Sequence, residues 1–131
     1  MNQEKILKKY SERIICRIPL KLPSLNEYIR ECRSNKYSGA RMKKDVESQI
    51  IWYIRDLPEF NNPIEIEFLW IEENKRRDLD NVAFAKKFIL DALVKAGKLK
   101  DDNRKCVTAF SDRFEYSDEA RIELRIKEVK K

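Results

Sequence analysis

The sequence predicts an α+β domain in which a small, mostly antiparallel or mixed β-sheet packs with about two main α-helices. Two patterns support this class. Apolar and polar residues alternate in several short segments, which is typical of strands, and apolar residues recur at helical spacing in two longer segments. Strands and helices do not follow one another as a regular βαβ repeat, so a doubly wound parallel sheet is not expected.

Length and composition fit a single domain covering residues 1–131. Hydrophobic residues make up 42% of the 131 positions, which is enough for one core. Residues 1–12 are expected to form a flexible or helical N-terminal arm. No apolar run approaches the roughly 18 residues of a transmembrane helix, so no membrane partner is expected.

The first half of the chain is expected to contain two strands and one main helix. Alternation predicts a strand over 14–18, which Pro19 ends. The polar and aromatic segment 22–40 is expected to be a loop with a short helix. Helical spacing then predicts an amphipathic helix over about 41–55, and strict alternation predicts a strand over 64–71.

The second half is expected to contain one helix and two strands. A basic loop, residues 73–78, leads into a helix over about 80–96, and Gly97 ends this helix at the C′ position. Two further alternating segments predict strands over 106–110 and 120–129.

The predicted helix 80–96 has two distinct faces at about 100° per residue. Its apolar face, which we expect to enter the core, consists of Val82, Ala85, Ile89, Ala92, Leu93 and Ala96. Its opposite face carries Asp80, Phe84, Lys87 and Asp91. Lys86 belongs to neither face, so a carboxylate–lysine surface is separated from the packing surface.

The absence of histidine excludes several chemistries. The chain can form neither a Ser-His-Asp or Cys-His nucleophile nor a site that needs histidine as a metal ligand. Cys16, Cys32 and Cys106 show no C-x-x-C spacing, so a zinc ribbon or a disulfide framework is not expected. Free thiols and the lack of a signal sequence indicate a reducing, cytoplasmic setting.

The charge distribution indicates a polyanionic partner. The formal net charge is +6, and charged residues reach 40% of the chain. The basic excess lies in residues 1–48, with 12 basic and 6 acidic residues, and in residues 72–105, with 10 basic and 7 acidic residues. Basic residues interleaved with clustered acids are typical of sites that hold phosphates and a cation together, although basic runs are also common on solvated surfaces.

The acidic residues of segment 76–102 are the candidate chemical site. Asp78 and Asp80 project to the same side if the chain is extended there, and Asp101 and Asp102 follow the helix in a turn. Clustered carboxylates favour a hard cation, Mg²⁺ or Mn²⁺, and no small-molecule cofactor is indicated. Helix capping, surface ion pairs and ordinary turn chemistry explain the same residues without a metal.

The motifs of this segment resemble those of the RusA family of Holliday junction resolvases. The resemblance rests on KRRDLDN, then KKFILDALVKAG, then the DD pair, and upstream on LPSLNEYIR. It covers roughly residues 14–127. As a set the motifs are fairly specific, although each is common alone.

The resemblance implies a homodimeric, Mg²⁺-dependent endonuclease that cuts four-way DNA junctions by paired, symmetric nicks. It implies that Mn²⁺ can substitute. The family's metal-binding carboxylates match Asp78, Asp80 and Asp102, and its catalytic lysine matches Lys87. The stretch from Asp80 to Lys87 is three residues longer than in the shorter family pattern, which leaves open whether Lys86 or Lys87 is that lysine.

Basic and neighbouring polar residues are candidates for DNA contact. The candidates are Lys75, Arg76, Arg77, Asn26, Tyr28, Arg30, Lys43 and Lys44. Tyr28 or Tyr37 is a candidate for stacking on an unpaired base, although tyrosines more often serve in packing. The roles of Asp91 and Asp101 stay open.

Two other functions remain open at this point. One is a non-catalytic basic module that binds branched DNA, in which the aspartates serve only as caps and turns. The other is an enzyme that acts on nucleotides or another small phosphate ester without branched DNA.

Overall fold

The protein folds around one four-stranded mixed sheet, and the computed structural model describes residues 13–129. The strands are β1 (Ile14–Ile18), β2 (Ile64–Glu72), β3 (Val107–Tyr116) and β4 (Arg121–Glu128). Their order across the sheet is β1-β4-β2-β3. Only β2 and β3 run parallel, and the other two pairings are antiparallel. The α+β prediction is confirmed, whereas the predicted arm, residues 1–12, lies outside the described residues.

Three longer helices and one short one accompany the sheet. They are α1 (Leu25–Ser34), α2 (Ser38–Ile54), α3 (Leu79–Ala83) and α4 (Lys86–Lys95). In the described part of the chain, none of the helices has the length and apolar character needed to cross a membrane.

Helix α1 is longer than the short helix expected within segment 22–40, because its start is well capped. The Ser24 hydroxyl accepts a hydrogen bond from the Glu27 backbone N–H at 3.2 Å and donates one to Glu27 Oε1 at 3.3 Å. The first of these bonds is an N-cap, which satisfies one backbone donor that a helix start otherwise leaves unpaired, and the second links the two side chains. The prediction that segment 22–40 is mostly loop was wrong, because it did not consider that Ser24 can cap a helix through the backbone of Glu27, three residues later.

The single helix predicted over 80–96 is in fact two helices. Helix α3 ends at Ala83, α4 begins at Lys86, and Phe84 and Ala85 form a turn between them. At this junction the backbone N–H groups of Ala85, Lys87 and Phe88 bond to carbonyls three residues earlier. Shorter i−3 bonds tighten the chain and change the direction in which the following residues point. The faces assigned by treating residues 80–96 as one continuous helix are therefore wrong at the N-terminal end of this segment.

The core lies between the helices and one face of the sheet. That face carries Phe68 and Trp70 from β2, stacked with 5.6 Å between ring centroids, and Leu124 opposite Phe68 on β4. Helix α4 and the residues just before it contribute the predicted apolar face. Val82 and Ala85 precede α4, and every residue of that face except Ala96 is buried. Phe84, expected on the polar face, is instead partly buried against this core because the helix break turns it inward.

Strand β3 extends further than the predicted strand 106–110. It continues to Tyr116 because residues 109–116 pair in register with β2. The second half of the strand, SDRFEY, is rich in polar residues because β3 lies at the edge of the sheet, where most of its side chains are not buried. Asp112 links this half of β3 to β2, because its Oδ1 atom accepts a hydrogen bond from Trp70 Nε1 at 2.9 Å.

Candidate active site

Lys87 forms the centre of a small charged cluster on the exposed side of α4. Its Nζ atom lies 3.0 Å from Oδ2 of Asp102 and 3.2 Å from Oδ1 of Asp91. The contact with Asp102, followed by that with Asp91, raises the pKa of Lys87. The same contact lowers the pKa of the Asp102 carboxyl. Both groups are therefore charged at neutral pH. The contact between Lys87 and Asp91 agrees with the shared helix face predicted for these two residues.

The turn after α4 brings Asp102 back to the first turn of that helix. Gly97 has φ +75°, the left-handed conformation that glycine adopts readily. The Lys98 N–H bonds to Leu93 O at 2.9 Å and the Gly97 N–H to Val94 O at 3.0 Å, which together form a Schellman motif. This reversal places Asp102 beside Lys87.

Asp101 shapes the same turn. Its Oδ1 accepts the Asp102 backbone N–H at 2.7 Å, and its Oδ2 accepts a hydrogen bond from Asn103 Nδ2 at 3.1 Å. Both carboxylate oxygens are thus used inside the turn, which is typical of aspartate in tight loops. Asp101 orients the loop, whereas Asp102 faces Lys87.

Asp78 and Asp80 lie at the start of α3, and both are exposed. Asp78 is the N-cap residue, but its side chain makes no capping hydrogen bond. Within residues 13–129 its carboxylate has no hydrogen bond or ion pair, so neither capping nor a surface ion pair accounts for it. Asp80 Oδ1 accepts the N–H of Asn81 at 3.0 Å.

Asn81 connects the DLDN motif to the LPSLNEYIR motif. Its Oδ1 accepts the backbone N–H of Asn26, in the first turn of α1, at 3.3 Å. Two motifs that are far apart in sequence therefore meet in the fold. This contact was not predicted from the sequence, although the co-occurrence of the two motifs in one chain could have indicated it.

Lys86 and Lys87 point to different parts of the protein. Lys86 Nζ lies 2.7 Å from Oδ2 of Asp112 and 3.8 Å from the centroid of the Phe110 ring. It ties the start of α4 to the edge of the sheet. Lys87 alone of the pair contacts Asp102, which supports Lys87 as the lysine that matches the family motif.

Several candidate DNA contacts serve inside the protein. Both terminal nitrogens of Arg77 donate to the Leu22 carbonyl at 3.1 Å, and its Nε lies 3.1 Å from Glu72 Oε1. Lys43 Nζ lies 3.0 Å from Asp91 Oδ2. Arg77 and Lys43 therefore have intramolecular partners that the sequence analysis did not foresee.

Other candidates keep their charged groups available. The side chains of Arg30, Arg76 and Lys44 are exposed and have no hydrogen bond or ion pair within the described residues. Arg30 lines an open surface pocket of about 410 Å³ together with Asn26 and Arg33. Lys75 Nζ lies 5.3 Å from the centroid of the Tyr116 ring.

Tyr28 belongs to an aromatic cluster. Its ring centroid lies 5.5 Å from that of Phe84 and 5.7 Å from that of Phe88. A hydrogen bond with the Cys32 side chain raises the pKa of Tyr28. Packing accounts for this tyrosine, so it is poorly placed to stack on a base without rearrangement.

The carboxylates fit Mg²⁺ in their chemistry, because aspartate oxygens are the ligands that hard cations prefer. They are not gathered into one site, however. Within residues 13–129, no three His, Cys, Asp or Glu side chains lie together in a way that could hold a metal ion. The structure brings Asp102 to Lys87, and it leaves Asp78 and Asp80 as a separate exposed pair.

The surface of the described protein thus carries a carboxylate–lysine cluster on α4 and several exposed basic side chains. The family model described as Endodeoxyribonuclease RusA matches residues 2–127 of the chain. The chain therefore belongs to the RusA endodeoxyribonuclease family, and it is a nuclease of the Holliday junction resolvase class. No curated protein gave a match to this chain.

Proposed function

We propose that this nuclease resolves four-way DNA junctions by paired, symmetric cuts and depends on Mg²⁺, for which Mn²⁺ can substitute. The single observation that carries this proposal is the contact between Lys87 and Asp102, 15 residues apart and 3.0 Å from each other. These are two of the four residues that match the family's functional positions. Their contact supports the assignment of both to one site.

In this proposal Asp78, Asp80 and Asp102, which the described structure does not gather into one site, would converge on the metal. The metal would supply a Lewis acid that neutralises charge at the scissile phosphate. Hydrolysis places the oxygen of a water on phosphorus, breaks the bond from phosphorus to the 3′-oxygen, and gives a proton to that oxygen. Lys87 stabilises the extra negative charge on the phosphate. Its raised pKa supports a role as a cation rather than as a base.

The exposed basic side chains hold the DNA backbone. Arg30, Arg76 and Lys44 have free charged groups within the described residues, and Lys75 lies in the loop that leads to Asp78. Contacts of this kind position the duplex and do not read its sequence. Four-way junctions are thus selected by shape.

A two-fold homodimer fits paired cuts, since each subunit then addresses one of two opposed strands. The free edge of β3 supports a second copy at that surface. No described strand pairs with this edge, and Phe110 on it is 55% exposed and Tyr116 48% exposed. The free cysteines support a reducing compartment, the cytoplasm.

A cleavage assay tests this function. An immobile four-way junction, a linear duplex and a flap are each incubated with the protein, with and without Mg²⁺. We expect paired nicks in the junction only with the metal, and Asp78→Asn and Asp102→Asn are expected to bind the junction without cutting it. Failure of the wild-type protein to cut the junction with Mg²⁺ or Mn²⁺ at neutral to alkaline pH would refute the proposal.

A further inference from the structure

Lys87 and Asp102 lie at one end of a continuous series of ion pairs. The series begins at the end of α4, crosses to α2, returns to α4 and ends in the loop that follows α4. In order of contact its members are Lys95, Glu47, Lys43, Asp91, Lys87 and Asp102. Acidic and basic groups alternate throughout, so each interior charge has an opposite charge on both sides.

Glu47 is the most deeply buried member of this series. Its side chain is 1% exposed, although it is acidic, and it lies on the apolar stripe of α2 beside Val46 and Ile50. A buried carboxylate is costly unless cations compensate it. Lys95 pairs with Glu47 Oε2, and Lys43 Nζ lies 3.7 Å from Oε1. The glutamate thus holds Lys43 in place from within the same helix.

Lys43 in turn determines the orientation of Asp91. The two oxygens of the Asp91 carboxylate are divided between two lysines. Oδ2 lies 3.0 Å from Lys43 Nζ, and Oδ1 lies 3.2 Å from Lys87 Nζ. Without Lys43, the second oxygen loses its cation, and the Asp91 carboxylate is no longer held in one orientation. Lys87 then loses a fixed partner opposite Asp102.

We propose that Lys43 is a positioning residue, held by buried Glu47, that sets the direction in which Lys87 points through Asp91. This inference rests on the proposed function, in which Lys87 acts on the scissile phosphate. It differs from the interpretation of Lys43 as a phosphate contact. Its ammonium lies between two carboxylates of the same chain and already has its ionic partners.

Single-turnover cleavage and junction binding over a range of salt concentrations separate these two roles. For Lys43→Ala we expect the cleavage rate at saturating protein to fall by about 10- to 100-fold, because small misplacement of a catalytic group is costly. The dependence of junction binding on salt is expected to stay unchanged. Lys43→Arg, which can still reach both carboxylates, should recover part of the rate.

A phosphate contact predicts the opposite pattern. Removing one such contact lowers the slope of log affinity against log salt by about one and leaves the saturated rate unchanged. That result for Lys43→Ala would overturn the proposal. Lys44→Ala, the exposed neighbour, supplies the reference for a lost phosphate contact. Gln49→Ala, an exposed position on the same helix, controls for the effect of any substitution in α2.

A measurement that needs no cleavage keeps the inference separate from the nuclease proposal. In protein labelled with ¹³C-lysine, NMR relaxation reports how rigidly the Lys87 side chain is held. We expect its order parameter to fall in Lys43→Ala and in Lys43→Gln, and to remain at the wild-type value in Gln49→Ala. If wild type fails to cut junctions but this pattern is found, the function is wrong and the positioning contact stands. An unchanged Lys87 order parameter in a folded Lys43→Ala overturns the positioning role.

Discussion

Asn81 lies in the short helix α3, and its side-chain oxygen accepts the backbone N–H of Asn26 on α1 at 3.3 Å. This bond joins the two sequence segments that carry the family motifs. It places the short helix that carries Asp80 against the start of α1. The later turns of α1 carry Arg30 and Arg33, which line an open pocket with Asn26.

Substitution of the two adjacent lysines should give opposite results. Lys87→Ala is expected to lower the junction cleavage rate by about 10²- to 10³-fold, the usual loss for one group that stabilises transition-state charge. Because Lys87 is 57% exposed, the melting temperature should change little. Lys86→Ala removes the link to Asp112 and should lower the melting temperature while cleavage is largely retained. Single-turnover cleavage and thermal unfolding measure both effects, and equal losses of rate in the two variants contradict the assignment.

The pair of Lys87 and Asp102 should stabilise the fold only over a defined range of pH. The lowered pKa of Asp102 gives stability that is present above its unfolded value, near 3.8, and is lost as pH falls through the folded pKa. The raised pKa of Lys87 gives stability that is present below its unfolded value, near 10.5, and is lost as pH rises through the folded pKa.

A double-mutant cycle with Lys87→Met and Asp102→Asn measures this coupling. We expect a favourable coupling energy below about 1 kcal/mol, because both side chains are partly exposed. It should be constant between about pH 5 and pH 9 and decline on both sides. Urea unfolding at each pH gives the four free energies, and a coupling that persists at pH 2 argues against the pair.

Arg76 and Arg77 form a matched pair on the loop before α3. Arg77→Ala leaves the Leu22 carbonyl without its two donors and should cost about 2 kcal/mol of unfolding free energy. Arg76→Ala should change that free energy by less than about 0.5 kcal/mol, because its side chain has no partner in the described residues. Arg76→Ala should instead weaken junction binding and lower its salt dependence. Chemical denaturation and binding titrations distinguish the two, and a stable Arg77→Ala would show that the contact with Leu22 contributes little.

Helices α1 and α2 approach each other closely at Gly39. A Cβ atom at this position would lie 2.4 Å from Sγ of Cys32 and 3.3 Å from its Cα. Gly39→Ala gains helix propensity of about 1 kcal/mol, but overpacking costs about 1 to 3 kcal/mol, so we expect net destabilisation. Adding Cys32→Ala removes the sulfur and should restore most of the loss. Unfolding free energies of the single and double variants check this, with Cys32→Ala alone as the control.

The elements with strong periodicity were predictable from the sequence. Strand β2 and the apolar face of α4 follow patterns that local residues determine. The return of Asp102 to Lys87 was not predictable, because it depends on the geometry of the turn at Gly97 and not on spacing along the chain.

The partners of single charged residues were harder to predict. Glu47 could have been noticed, since a carboxylate on the apolar stripe of α2 signals a buried ion pair. Lys43 lies four residues before Glu47 on the same helix, so this pair follows from the spacing. Lys95 lies on α4, and only the packing of the two helices brings it to Glu47. The internal role of Arg77 depends in the same way on Leu22, which lies 55 residues earlier.

The break at Phe84 and Ala85 has a consequence for how this family can vary. In an uninterrupted helix, each added residue rotates every later side chain by about 100°, so an insertion after Asp80 displaces the lysine from its face. Here a new helix, α4, begins at Lys86. The direction of Lys87 toward Asp102 therefore depends on α4 and not on the number of residues that precede it. An insertion between Asp80 and Ala85 is therefore expected to leave the orientation of Lys87 toward Asp102 unchanged.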